Sequence, residues 1–342
     1  MTDVIPPPKI AVLGAGLIGA YIGGRLAIGG ADVTFIGRPK AMAELRSSGL
    51  NLTDYTGAEL RLEGKALKAT SDPDALEDAE LILLTVKNQD TLTAAGDIAR
   101  HVLGQPVVLS FQNGVSNVPR LRDALSTFKV LAGIVPFNVT KPGHGHFHQG
   151  LAGKLFVEAD DAIDPYLRIF EAAGLPLALH RDMASVAWAK LLMNLNNAIN
   201  VVSGLSLKDQ LDQRGYRRCL ALAQIETLRL LDRAGVEPAT LGKLPPAWGP
   251  RFLSLPDFLY HRLAKTAGIR VDRYARSSMA DDLAAGRHTE IDYLNGEVVA
   301  LADLLGEPAP VNRKMIELVK AVEAGAKPKS ASELYGLLST LH

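Results

Sequence analysis

Along the first half of the chain, short apolar runs alternate with stretches of helical period. The runs Lys9–Leu13, Asp32–Ile36, Leu81–Val86, Val107–Phe111 and Val130–Val135 are rich in β-branched residues and too short for helices, so they predict strands. The intervals between them leave room for crossover helices, the arrangement of a doubly wound parallel sheet. Near Asp182 the texture changes. From there apolar positions recur with helical spacing, broken at Gly204, Gly235, Gly242 and Gly286. The pattern predicts an α/β domain over residues 1–181 and an all-helical domain over residues 182–342. The proline-rich stretch Leu244–Phe258 reads as a loop, and Ser71–Glu80 (SDPDALEDAE) as a capped, solvated surface helix.

Composition narrows the function classes. The 342 residues are 47% apolar and 22% charged, a globular balance. Basic and acidic residues number 37 each, which argues against a dominant nucleic-acid or anionic-membrane partner. The single cysteine, Cys219, excludes an internal disulfide and a multi-cysteine metal site; beside Leu220, Leu222 and Ile225 it reads as a buried, inert thiol. The most apolar long window, residues 183–203, is interrupted by Lys190, Asn194, Asn196, Asn197 and Asn200, polar groups that a membrane span would leave in hydrocarbon. The opening MTDVIPPPKI has neither an apolar core nor a cationic leader, so the expectation is a soluble, cytoplasmic protein.

The strongest local chemistry lies in IAVLGAGLIGAYIGGRLA. A strand runs directly into Gly14-Ala15-Gly16-Leu17-Ile18-Gly19, and a helix pattern follows. Gly14 allows a tight turn, Gly16 lets backbone approach a pyrophosphate, and Gly19 lets the helix pack on the strand. The helix N-terminus then presents unpaired N–H groups to phosphate. This is a Rossmann-type dinucleotide loop. The second strand selects the cofactor: in ADVTFIGRPK the carboxylate Asp32 opens the strand, whereas Gly37, Arg38 and Lys40 stand at its end. A guanidinium there suits a 2′-phosphate and so predicts NADP(H).

Within Ala184–Val202, read as one helix, Lys190, Asn194 and Asn197 fall at i, i+4 and i+7 and share a face. Spacing alone leaves two readings open, a cleft-facing polar set and a solvated stripe. Further on, Gly286 can end one helix and His288 or Thr289 can precede the next, which puts Glu290 in a first turn, where the helix dipole favours a carboxylate. His144, His146 and His148 would share one face of a strand, more consistent with a surface strand than with a metal site. Trp188 and Trp248 read equally as core or cleft wall.

Together LGAGLIG (Leu13–Gly19), LTVKNQD (Leu84–Asp90), FQNGV (Phe111–Val115), WAKLLMN (Trp188–Asn194), and SSM with HTEIDYLNG (Ser277–Gly296) resemble the ketopantoate reductase family over essentially the whole chain. The resemblance implies a Rossmann domain followed by a helical domain, with the active site in a cleft between them. By resemblance, Lys190 is the general acid that protonates the ketone oxygen, and Glu290 works beside it and the cofactor ribose. Asn194 and Ser278 bind substrate. Lys87 and Asn113 contact NADPH, with Asn113 also at the substrate, and Arg38 meets the 2′-phosphate. Two departures stand out: Ala198 replaces an asparagine of the best-known members, and Leu244–Phe258 lengthens the chain.

The resemblance implies NADPH-dependent reduction of 2-dehydropantoate to (R)-pantoate for pantothenate and coenzyme A synthesis. A 2-keto acid is the expected small-molecule partner, and no metal is expected. A homodimer is compatible with the family, and zero net charge does not oppose it. The Ala198 departure keeps alive a relative acting on another 2-keto or 2-hydroxy acid. A non-catalytic NADP sensor is the third reading, and the presence of Lys190, Glu290 and Ser278 together weighs against it.

Overall fold

Ile10, Ala11, Val12 and Leu13 are all buried, so the first apolar run needs cover on both faces, and a parallel sheet supplies it. The computed structural model describes residues 6–266 and 276–341. The first five residues, where the MTDVIPPPKI reading begins, lie outside them. The chain divides into two units, Met1–Met183 and Ala184–His342.

In the first unit the strands are β1 (Lys9–Leu13), β2 (Asp32–Ile36), β3 (Leu50–Asp54), β4 (Glu59–Leu62), β5 (Lys68–Thr70), β6 (Leu81–Leu84), β7 (Val107–Ser110), β8 (Lys129–Ile134), β9 (Val139–Gly143), β10 (His146–Gln149), β11 (Leu155–Glu158) and β12 (Leu177–His180). The helices are α1 (Leu17–Ile28), α2 (Pro39–Ser48), α3 (Thr91–His101), α4 (Asn117–Ala124) and α5 (Leu167–Ala172). Eight strands form one sheet in the order β12-β11-β8-β7-β6-β1-β2-β5, and β4-β3-β10-β9 form a second. The large sheet is parallel except where β11 runs against β8. Alternate residues feed two cores. Ile10, Val12, Leu83 and Leu109 join the core that includes Tyr21 and Leu26 of α1, while Ala11, Leu13, Ile82 and Val108 join the one that includes Ala94 and Ile98 of α3.

All five predicted strands form. β6 and β7 stop short of the predicted Val86 and Phe111 because the chain leaves the ladder to build loops there. The other seven were not legible; they are three to five residues long and mix polar with apolar positions. The surface helix expected over Ser71–Glu80 is instead one 3₁₀ turn, Pro73–Leu76, whose Asp72 carboxylate accepts the Asp74 N–H. Asp side chains that bind nearby backbone favour such turns over helix interiors. Of the three histidines, only His146 and His148 lie on a strand, both 2.8 Å from Thr53 Oγ1. His144 stands outside it, beside Glu44. Among the described residues no cluster of three or more His, Cys, Asp or Glu could hold a metal.

The second unit is helical: α6 (Met183–Asn194), α7 (Asn196–Ser203), α8 (Leu207–Leu211), α9 (Arg214–Arg233), α10 (Gly249–Leu253), α11 (Asp257–Thr266), α12 (Ser278–Ala284), α13 (Asn295–Leu305), α14 (Pro310–Glu323) and α15 (Ala331–Ser339). The spine is α9, which packs on α7, α8, α10, α13, α14 and α15. Cys219 on it is fully buried, and burial pushes the thiol up to about 12, which keeps it inert. Trp188 is buried and Trp248 is exposed, which separates two residues the sequence treats alike. Among the described residues no helix is long and apolar enough to cross a membrane.

Leu244–Phe258 is more ordered than a loop. Its prolines punctuate a 3₁₀ turn at Pro246–Trp248, then α10, then the start of α11. The fully buried Arg217 of α9 holds it, donating to the carbonyls of Leu253 and Leu255 and to Asp257 (2.8 Å), while its guanidinium stacks on Tyr260. A second buried charge, Glu226, accepts the N–H groups of Val311 and Asn312 (both 2.9 Å) and so caps the first turn of α14 from a neighbouring helix. Glu226→Ala leaves those donors buried without an acceptor. It is expected to cost about 3 kcal/mol, read as a lower urea midpoint at unchanged m-value.

Candidate active site

In the first unit the candidate loop begins where β1 ends. Gly14 has φ +97°, and a Cβ there would lie 2.5 Å from Val86 N, so no other residue fits. Its N–H and that of Ala15 donate to Ile36 O, which ties the turn to the end of β2. At Gly19 a Cβ would collide with Thr85 Oγ1 and lie 2.7 Å from Gly14 O, so this glycine is what lets α1 approach the strands. Gly16 is different. A Cβ on it would find nothing nearer than Gly14 O at 3.8 Å. That open face lies over the N-terminus of α1, whose first turn (Leu17, Ile18, Gly19) has no side-chain cap and no acidic residue. An open backbone cradle with free N–H groups and a positive dipole end fits a pyrophosphate.

The loop also lies at the switch point of the sheet. From β1 the chain moves to β2 on one side and later returns to β6 on the other, so the ends of β1 and β6 bound a crevice of the kind that binds nucleotides. Arg38 stands at the position just before α2, past the end of β2, exposed, and donates to Asp90 at 3.2 Å. Asp32 is spoken for at the other end of the strand, 2.6 Å from Lys68. Thus no residue of β2 offers a carboxylate where a ribose 2′-hydroxyl would seek one. Lys87 follows β6 at the start of the 3₁₀ turn Asn88–Asp90, and Asn113 follows β7. Asn117 Nδ2 joins these loops, donating to Asn88 Oδ1 (2.5 Å) and Asn113 O (2.6 Å).

In the second unit the single helix expected over Ala184–Val202 is interrupted at Leu195, a turn residue between α6 and α7 whose N–H still donates to Leu191 O at 3.0 Å. Three asparagines within four residues weaken the helix there, because their side chains compete for backbone groups. Asn196 Oδ1, for example, accepts from Gln210. Lys190, Asn194 and Asn197 are all half-buried rather than solvated. Burial lowers the Lys190 ammonium to about 8.

The two serines of SSM divide the labour. Ser277 caps α12, accepting the Ala280 N–H, and its own N–H donates to Asn200 Oδ1 at 3.1 Å. Ser278 then meets Asn197, whose Nδ2 donates to its Oγ at 3.4 Å. Asn197 and Asn200 were not expected in this role; their partners lie some eighty positions away in sequence. Glu290 is 3% exposed and precedes a 3₁₀ turn, Ile291–Tyr293, rather than standing inside the first turn of an α-helix; α13 starts only at Asn295. Ala198 is fully buried, so the departure from the family pattern lies in packed surroundings.

The family model for ketopantoate reductase PanE/ApbA matches residues 10–161, and that for its C-terminal part matches residues 182–323. A 2-dehydropantoate 2-reductase of Pyrococcus horikoshii is 31% identical over 330 residues, covering 92% of this chain and 98% of the relative. The crystal structure of a PanE/ApbA-family ketopantoate reductase from Ralstonia eutropha JMP134 is 32% identical with a TM-score of 0.77, covering 92% of this chain and 98% of that one. The fold is shared as well by a D-mandelate dehydrogenase solved with NADH and anilino(oxo)acetate, at 20% identity and a TM-score of 0.74, covering 92% and 98%.

Proposed function

The chain belongs to the ketopantoate reductase family, oxidoreductases acting on a ketone, and we propose that it uses NADPH to reduce 2-dehydropantoate to (R)-pantoate for pantothenate and coenzyme A synthesis. The observation that carries the proposal is Lys190, a half-buried lysine one helical turn before Asn194 on α6, whose ammonium burial lowers to about 8. A cytoplasmic homodimer is part of the same reading.

The residues take these roles. The loop Gly14–Gly19 cradles the pyrophosphate, with the N–H groups of the first turn of α1 (Leu17, Ile18, Gly19) facing it, Arg38 pairs with the 2′-phosphate, and Lys87 and Asn113 contact the rest of the dinucleotide. When bound, the cofactor supplies the hydride. Lys190 gives its proton to the ketone oxygen as negative charge builds there, which lowers the barrier most when its pKa is near the working pH. Asn113, Asn194 and Ser278 bind the keto acid, and Glu290 assists the lysine.

A second reading, reduction of a different 2-keto acid or oxidation of a 2-hydroxy acid, is favoured by one observation. Ala198 offers buried methyl surface where the best-known relatives have an amide. D-mandelate dehydrogenase, which shares the fold, is named for an aromatic substrate.

The test is NADPH oxidation by purified protein with ketopantoate beside ketoisovalerate, ketoisocaproate, phenylpyruvate and oxaloacetate, and NADH as the alternative cofactor. Turnover confined to ketopantoate supports the first reading, and turnover with another acid the second. NADPH binding without any turnover moves weight to a sensor. Arg38→Ala is expected to raise the KM for NADPH about tenfold to a hundredfold and to leave that for NADH nearly unchanged, because only the phosphate needs the guanidinium. Equal effects on both cofactors would remove Arg38 from the 2′-phosphate.

A further inference from the structure

Past Thr85 and Phe111 the chains after β6 and β7 leave the sheet ladder, yet these two loops carry Lys87 and Asn113. A closed set of buried side chains joins them. Thr91 is fully buried and Ser110, Gln112 and Asn117 are nearly so. Gln112 Nε2 donates to Val86 O (3.2 Å) and to Thr91 Oγ1 (2.7 Å), and Gln112 Oε1 accepts from Ser110 Oγ. The Thr91 hydroxyl lies 2.8 Å from Asn88 O and 3.2 Å from Asn117 Oδ1. Both protons of the Asn117 amide are used as well, on Asn88 Oδ1 and Asn113 O. The backbone on either side of Lys87 and the carbonyl of Asn113 are therefore gripped by the same three side chains, with Thr91 Oγ1 as the shared atom. A buried hydrogen-bond network of this kind restricts the arrangements open to its loops.

We propose that Thr91, Gln112 and Asn117 are positioning residues that hold Lys87 and Asn113 at one fixed spacing for the dinucleotide. The proposal rests on the reading of Lys87 and Asn113 as cofactor contacts. None of the three needs to touch the cofactor; their effect is transmitted through the loops they join.

The decisive variant is Thr91→Val, which replaces the hydroxyl by a methyl of the same shape, with Thr91→Ser as the conservative control. NADPH affinity is measured by calorimetry on the ligand-free protein, alongside the thermal midpoint and the split between KM and kcat. Thr91→Val is expected to weaken NADPH binding about tenfold, with the change carried by KM more than kcat, and Thr91→Ser to restore it to within about twofold. A lower midpoint with unchanged NADPH affinity would mean a merely structural role and overturn the proposal. If Thr91→Val does not fold, Asn117→Ser, which deletes both amide donations, is judged by the same criteria. Wild-type protein that binds neither NADPH nor NADH would instead sink the cofactor reading itself.

Discussion

Lys190→Ala is expected to lower kcat for keto-acid reduction by a factor of about 10²–10⁴, the range for loss of a positioned general acid. The fold around it should survive, since Ala189 and Leu191 keep the helix packed. The pH profile is the more specific readout. With its ammonium lowered to about 8 by burial, wild-type protein should lose reduction activity as pH rises through about 8, whereas the alanine variant's residual rate stays flat there. Stability should respond in the opposite sense. The folded chain releases the Lys190 proton near 8 and the unfolded chain near 10.5, so between these values unfolding takes up a proton and the folded state gains with rising pH. Compared with Lys190→Met, which cannot titrate, wild-type protein should therefore gain up to about 3 kcal/mol across that window. Urea unfolding at several pH values measures it, and parallel curves for the two proteins would mean that burial does not act on Lys190 as described.

Gly16→Val should abolish dinucleotide binding and leave the fold intact. Gly16 has φ −80° and ψ −150°, open to any residue, and a Cβ there meets nothing closer than 3.8 Å. The added side chain would instead fill the cradle over the first turn of α1. NADPH affinity should fall about a hundredfold or more, because backbone approach is the contact the loop provides. The thermal midpoint should stay within about 2 °C, as befits a substitution with no buried clash. Gly14→Ala is the counterpart. Its Cβ would strike backbone at 2.5 Å, so it should lose the fold and binding together. Calorimetric titration with NADPH, paired with thermal melts, separates the two cases. Tight binding by Gly16→Val would place the pyrophosphate elsewhere.

Much of this site was legible in the chain. The glycine spacing after Leu13, the missing carboxylate at the end of β2 and the one-turn spacing of Lys190 and Asn194 all follow from local geometry. Where the reading erred, long-range partners were responsible. The helix of Ala184–Val202 breaks at Leu195 where neighbouring asparagines bind elsewhere, as Asn196 does to Gln210. Leu244–Phe258 is ordered because Arg217, some thirty residues upstream, supplies the donors its carbonyls need. Glu290 precedes a 3₁₀ turn, a distinction of one or two hydrogen bonds that a spacing rule does not resolve.

By itself the sequence determined the α/β-then-helical fold class, the five central strands of the sheet, the glycine turn after β1 and the one-turn spacing of Lys190 and Asn194 on α6. Each depends on periodicity or on the steric limits of a residue and its immediate neighbours, which act within a few positions of the chain. Only the tertiary structure decided that Asn197 serves Ser278, that Glu226 caps α14, and that Thr91, Gln112 and Asn117 lock two loops together. It also decided how far burial lowers the Lys190 ammonium. A buried polar group must find a partner, and which residue supplies that partner depends on the surfaces that packing brings together, not on any local pattern.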